Sequence, residues 1–340
     1  MPASNPDGLV IGVDVGGTKV AAGFVDPAGR ITQQVRNAMV VTRDAADGFA
    51  AVKAAIDSLL AVSPQKRAHA IGICSPGPLD PATGVVINPP NLPCWRNFPL
   101  ADETARLYSL PVKVDNDANA AGLAETLWGA GTGYRNVFYA TIGTGIGTGV
   151  VFDGRLYHGR TGAAGEGGHM SIDYRGPLCG CGKRGCIEAL AAGPAIGRRA
   201  QHKLAERIRR DSMLWEFAKS DPDSVTSELV GRADAAGDSL AHEVLLETVV
   251  LLSVWLSNIV DLLEPDVIII GGGVAAMLQP FFADMHAQIS DICVNSRGNE
   301  IPLLPACYGA ESGIAGGAAL CAQPVSRSLP SKAPSAVVSK

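Results

Sequence analysis

Residues 9–26 read LVIGVDVGGTKVAAGFVD. An apolar run, Leu9 to Asp14, ends in an acid. Gly16-Gly17-Thr18 follows, and a second apolar run extends from Lys19 to Val25. Two such runs joined by a glycine turn predict a β-hairpin. The pattern recurs further on: Val137 to Ile142 predicts a strand, Gly143-Thr144-Gly145-Ile146-Gly147 a turn, and Thr148 to Phe152 a strand. The repetition indicates a weak internal duplication. Further strands are predicted at Ala70 to Cys74, Pro111 to Val114 and Asp266 to Ile270. Helical periods run over Phe49 to Val62, Ala118 to Trp128, Pro194 to Ser220, Leu240 to Leu263 and Ala310 to Cys321. Alternating strands and helices predict an α/β architecture. Two similar halves predict a cleft between them, a favoured place for ligands.

Composition narrows the class. The chain has 340 residues, 47% of them hydrophobic and 18% charged, enough for a large core in about two domains. Its 40 glycines are about 12% of the chain against a typical ~7%, and they cluster at a few loops. A net charge of −5 without a basic run argues against a nucleic-acid surface. Met1 to Gly8 is short and polar, so no signal peptide is expected. Thr248 to Val260 is uncharged between Glu247 and Asp261, which is too short to span a bilayer and fits a buried helix. Three of the eight cysteines sit at 179, 181 and 186, a metal-like spacing, so reduced thiols in a cytoplasm are expected. The other five, Cys74, Cys94, Cys293, Cys307 and Cys321, read as small apolar residues. Residues 324–340 are rich in Pro, Ser and Ala and predict a disordered tail.

A glycine turn between strands exposes backbone N–H groups that suit phosphate oxygens, although each turn could also be an ordinary hairpin. Lys19 and Thr18 add an ammonium and a hydroxyl to the first turn, and Thr144 adds a hydroxyl to the second. Asp14 could hold Mg²⁺ through water, because Mg²⁺ retains much of its hydration. The P-loop pattern fails, since Thr18 stands where it requires Lys. Gly271-x-Gly273-x-x-Ala276 matches a loose dinucleotide pattern, but too late in the chain for a second Rossmann half. A platform for an adenosine is the better use of those glycines.

Taken together, IGVDVGGTKVAAGFVD (11–26), SPGPLD (75–80), NPPNLPCW (88–95), VDNDANAAGLAE (114–125), GTGIGTGVV (143–151), GAAGEGGH (162–169), CGCGKRGCIE (179–188) and IIIGGGVA (268–275) resemble the ROK family of sugar kinases and repressors. The resemblance covers residues 9 to 321. It implies an actin-like (ribonuclease H-like) two-domain ATPase fold. Residues 8–116 with about 311–323 would form a small domain and 117–310 a large one. It further implies ATP with Mg²⁺, transfer to a hexose 6-hydroxyl, and a homodimer. Glucose leads the candidate sugars, ahead of N-acetylglucosamine, N-acetylmannosamine, mannose and fructose. Asp14, Gly16, Gly17, Thr18, Lys19, Gly143, Thr144, Gly145, Gly272 and Gly273 would then hold the nucleotide. Gly167 and Cys94 depart from the family pattern, which usually has an apolar residue and often a glycine there.

Phosphoryl transfer to an alcohol needs a base near the hydroxyl. Asp117 follows a strand and precedes a helix, so it could cap that helix or project into a cleft. The resemblance assigns it the role of base. By the same resemblance Asn91, Asn116, Glu166, His169 and Glu188 would surround the sugar ring. His169, Cys179, Cys181 and Cys186 form a Cys₃His set suited to structural zinc, with Gly180, Gly182 and Gly185 letting the loop turn. The nucleotide turns come from other segments, so zinc loss should disturb the sugar pocket first. A repressor would need a DNA-binding helix-turn-helix ahead of residue 11, where there is no room for one. A non-catalytic ATPase or sugar sensor is disfavoured by Asp117.

Overall fold

The computed structural model describes residues 8–39, 44–207 and 211–322. It contains two five-stranded mixed sheets built on one plan. In chain order the first half holds β1 (Leu9–Val15), β2 (Lys19–Val25), β3 (Ile31–Ala38), α1 (Ala45–Val62) and β4 (Ala68–Ser75). It continues with the small hairpin β5 (Leu79–Asp80) and β6 (Val85–Val86), then α2 (Leu100–Tyr108), β7 (Val112–Asn116) and α3 (Asp117–Trp128). The second half opens with β8 (Val137–Ile142), β9 (Ile146–Phe152) and β10 (Arg155–Leu156). Helices α4 (Ile187–Ala191), α5 (Gly193–Arg207), α6 (Met213–Phe217), α7 (Ser227–Ala235) and α8 (Ser239–Leu263) follow. The chain ends with β11 (Val267–Gly271), α9 (Gly273–Leu278), α10 (Phe282–Ile292), β12 (Leu303–Pro305) and α11 (Ser312–Cys321).

The first sheet is ordered β3-β2-β1-β4-β7 and the second β10-β9-β8-β11-β12. Each places an antiparallel hairpin beside two parallel strands, so the duplication seen in the sequence is a duplication of topology. Parallel pairing puts the carboxyl ends of β1, β4 and β7 at one edge. Asp14 aligns with Cys74, and Cys74 with Asp115. Open α/β sheets place their ligands beyond that edge.

Helix α11 joins the halves, packing on β1, β4 and α3. The contact is backbone against backbone. A Cβ on Gly12 would lie 1.9 Å from the Ile314 carbonyl oxygen, and one on Gly72 1.7 Å from that of Gly317. On the second sheet, α8 is the central core helix, with Trp255 fully buried against Phe138.

Several expectations need correction. The helix predicted over 194–220 is broken: α5 ends at Arg207, and a new helix α6 starts at Met213 with Ser212 as its cap. Ser212 Oγ also donates to the buried Asp238 carboxylate, so the restart is fixed by side chains. Helix α8 has 25 residues and is long and apolar enough by composition to cross a membrane. Length therefore does not argue against a span, whereas burial does, since most of its apolar face lies in the core. Among the five scattered cysteines, Cys74 and Cys94 are buried, but Cys307 is exposed and is no core residue. Residues 324–340 lie outside the described residues.

Candidate active site

The edge where β1, β4 and β7 end carries the acids. Asn116 caps α3, its Oδ1 accepting the Ala118 N–H at 2.9 Å. Capping therefore falls chiefly to Asn116, and Asp117 occupies the first helical turn, its Oδ1 also accepting the Ala118 N–H at 2.8 Å. Asp117 is exposed to water, yet protein packs closely around its carboxyl group. Desolvation by that protein raises its carboxyl above the ordinary 3.8. The Ala118 N–H bond opposes the rise, and the charges of Asp14 and Glu166 add to it. Asp14 behaves similarly: burial raises its carboxyl, while the Cys74 thiol, Lys19 and Arg36 pull it down. Gly313 at the start of α11 must be glycine here, because a Cβ would stand 2.3 Å from Asp14 Cγ.

Three glycine turns follow strand ends, one after β1 and the others after β8 and β11. In the first, Gly16 N–H donates to the Lys19 carbonyl at 2.9 Å, and Thr18 and Lys19 are exposed. Asn91 lies against it, its carbonyl 3.0 Å from where a Gly17 Cβ would be. In the second, Gly143 N–H donates to Gly145 O at 2.9 Å, and Thr144 is exposed. The third packs on the second: Gly272 has φ +94°, and a Cβ there would lie 2.3 Å from the Ile142 carbonyl oxygen. Gly273 starts α9 beside it.

Glu166 precedes a single 3₁₀ turn, Gly167–His169. The loop around it is tied to β9 and α8. Thr148 Oγ1 accepts the Gly167 N–H at 2.8 Å and donates to the Gly165 carbonyl, while Trp255 Nε1 donates to the Gly167 carbonyl at 3.1 Å. A Cβ on Gly167 would lie 2.8 Å from Thr148 Oγ1, which explains the glycine at that position.

His169, Cys179, Cys181 and Cys186 converge, with one ligand atom from each within 4.8 Å of the others. The Cys181 and Cys186 sulfurs are 3.6 Å apart, as are Cys179 Sγ and His169 Nδ1. Tetrahedral zinc with bonds of ~2.3 Å separates its ligands by roughly 3.7 Å, so the set fits zinc. Nδ1 faces the cluster, which leaves His169 Nε2 for another partner. Gly182 (φ +89°) and Gly185 (φ +62°) make the tight turns, whereas Gly180 lies in open space without a positive φ and is not required for one.

Glu188 corrects the expectation that both nucleotide turns are independent of this loop. Its Oε2 accepts the Ile146 N–H of the second turn at 3.0 Å, and its Oε1 lies 3.8 Å from His169 Nδ1. The Cys/His loop and the second turn are therefore one connected unit. Sequence patterning gave no signal for two further residues. The His158 ring, in the loop after β10, sits 2.6 Å from Asp115 Oδ2 at the end of β7, bridging the halves. Asp115 Oδ1 also accepts from Asn119. Thr148 was legible only as a strand residue.

A duplicated two-sheet fold with carboxylates and glycine turns at its strand ends defines an actin-like ATPase-type phosphotransferase. The chain belongs to the ROK family, whose model matches residues 10–324. It is 33% identical over 313 residues to a glucokinase of Thermotoga maritima, covering 92% of this chain and 96% of that protein. A ROK family glucokinase of Streptomyces griseus, solved in complex with glucose and AMPPNP, superposes with a TM-score of 0.78 at 32% identity, covering 92% of this chain and 99% of that one. A ROK hexokinase of Thermus thermophilus superposes at 0.72 with 33% identity, covering 92% and 97%.

Proposed function

We propose that the protein transfers the γ-phosphoryl group of ATP to the 6-hydroxyl of glucose, giving glucose 6-phosphate. The observation that carries this is Asp117, exposed to water just past the end of β7, with its carboxyl raised by the protein packed around it and by the charges of Asp14 and Glu166. Glucokinase relatives over most of the chain support the same substrate. The 6-hydroxyl proton passes to the Asp117 carboxylate while its oxygen attacks the γ-phosphorus and ADP leaves. A carboxyl raised above its ordinary value is a stronger base and better matched to this transfer at neutral pH.

Asn91, Asn116, Glu166, His169 and Glu188 would orient the sugar, with hydroxyls answered by amide and carboxylate groups. Gly16 to Lys19 and Gly143 to Gly145 would cradle phosphates, and Gly272 and Gly273 the adenosine. Asp14 would hold Mg²⁺ through water; when bound, the ion neutralises charge on the phosphates. His169, Cys179, Cys181 and Cys186 would hold one structural zinc. A small domain of 8–116 with 311–323 would close on a large one of 117–310, with α3 and α11 between them. A cytoplasmic homodimer without nucleic-acid or membrane partners completes the proposal.

A panel of hexoses with MgATP tests the substrate. Glucose should lead in kcat/KM, and an N-acetylated hexosamine ahead by tenfold would replace it while leaving the kinase in place. Asp117→Asn should lower kcat by several orders of magnitude with sugar binding retained. More than about a tenth of the wild-type rate would remove Asp117 as base.

A further inference from the structure

The loop that carries Glu166 has few fixed points, and one hydroxyl supplies two of them. Thr148 is 4% exposed and lies on β9, with its Oγ1 between two peptide groups. It accepts from the Gly167 N–H at 2.8 Å and donates to the Gly165 carbonyl. Those two peptides flank Glu166 on either side. Gly165 has φ +88°, a conformation that leaves the loop path to be set by its contacts. We infer that Thr148 is the positioning residue for Glu166, holding that carboxylate at the sugar while making no contact with the sugar itself.

The inference rests on Glu166 being a sugar contact. Geometry supports the clamp independently. Gly167 lacks a side chain where a Cβ would approach Thr148 Oγ1 to 2.8 Å and Cγ2 to 3.1 Å, so the threonine fills the space beneath the loop. Trp255 holds the next peptide through the Gly167 carbonyl. Thr148 also lies one residue from Gly147, at the end of the second glycine turn, so strand β9 links that turn to the sugar loop. A hydroxyl used as both donor and acceptor cannot be replaced by a methyl group, because two backbone groups would lose their partner.

Thr148→Val and Thr148→Ser separate the clamp from mere packing. With Val, KM for glucose should rise about tenfold, the equivalent of one to two lost hydrogen bonds, while KM for ATP stays within about twofold. Ser restores the hydroxyl and should recover most of the wild-type KM. Hydrogen exchange of the peptide spanning 162–170, measured without substrates, should quicken in the Val variant and not in the Ser variant. Unchanged exchange in the Val variant overturns the clamp. So does a wild-type KM for glucose in that variant, equal losses for glucose and ATP, or a Ser variant as impaired as the Val one. Faster exchange in a protein whose wild type does not phosphorylate glucose would leave the clamp standing and remove the glucose assignment instead.

Discussion

The two hairpin turns share a plan and are held by different means. The turn after β1 closes on itself, Gly16 to Lys19, is held by the Met39 N–H donating to the Thr18 carbonyl, and has the Asn91 carbonyl close by. The turn after β8 is fastened from outside by the Glu188 carboxylate on Ile146, one step from the Cys/His cluster. Charge is divided unequally as well. Asp14 and Lys19 flank the first turn, while Thr141 and Ile142 precede the second. Duplication supplied two glycine turns. Divergence flanked one with ionic side chains and tied the other to the Cys/His loop.

Asp14 tests the ionic side of this contrast and should give the largest effect. Asp14→Asn should lower kcat/KM for MgATP by roughly a hundredfold, about 2.7 kcal/mol of transition-state stabilisation, with sugar affinity nearly unchanged. Nucleotide titrations at varied Mg²⁺ check it, and an unaltered Mg²⁺ dependence would show that the two turns do not differ in this way.

Metal removal tests the fastened side, with a smaller effect expected. A strong chelator or Cys181→Ala should raise KM for glucose by about tenfold and KM for ATP by less, because the Cys/His cluster closes the loop between Glu166 and Glu188. Hydrogen exchange should quicken at 143–147 and stay slow at 16–19. Equal changes in both turns would mean global unfolding, and no change in either would mean the link through Glu188 carries nothing. Metal analysis of the purified protein should find about one zinc per chain.

His158 gives the smallest effect. Its hydrogen bond to Asp115 raises the imidazole above the ordinary 6.5, more than burial lowers it. A raised folded-state value means the pair's stabilisation is complete below about pH 6.5 and fades as pH rises through the higher folded value. Melting temperatures of the wild type and His158→Gln should differ most near pH 6 and converge at alkaline pH. A gap independent of pH would show that the contact works without the imidazolium.

What the sequence disclosed depends on how local the signal is. Hairpins β1–β2 and β8–β9 and the Cys₃His set are readable because strand period, turn residues and ligand spacing all sit within a few positions. Strand β3, ITQQVRNA, escapes because it is a polar edge strand with no clean alternation. The restart at Ser212 escapes because the apolar positions of α5 and α6 continue one helical period, while the restart is fixed by a distant residue, Asp238. His158 with Asp115, and Thr148 with Gly165 and Gly167, are pairings across elements. No spacing rule brings them together; only the register of strands and loops does.

The glycine-lined seat of α11 sets an order in time. The Cys74 thiol meets the Gly313 carbonyl 239 residues further along the chain, and Val10, Ala21 and Val25 find their buried partners in Ile314 and Ala318. During synthesis at about 5–20 residues per second, the first sheet therefore waits on the order of 10 to 50 seconds for its cover. Through that interval one apolar face of the nascent chain is open, while the second half folds as a unit with its own core. The half made first is thus finished last. A ribosome-bound chain stalled at residue 300 should expose β1 and β4 to a chaperone or protease that ignores the released protein, and a stalled chain as resistant as the released one would refute that order.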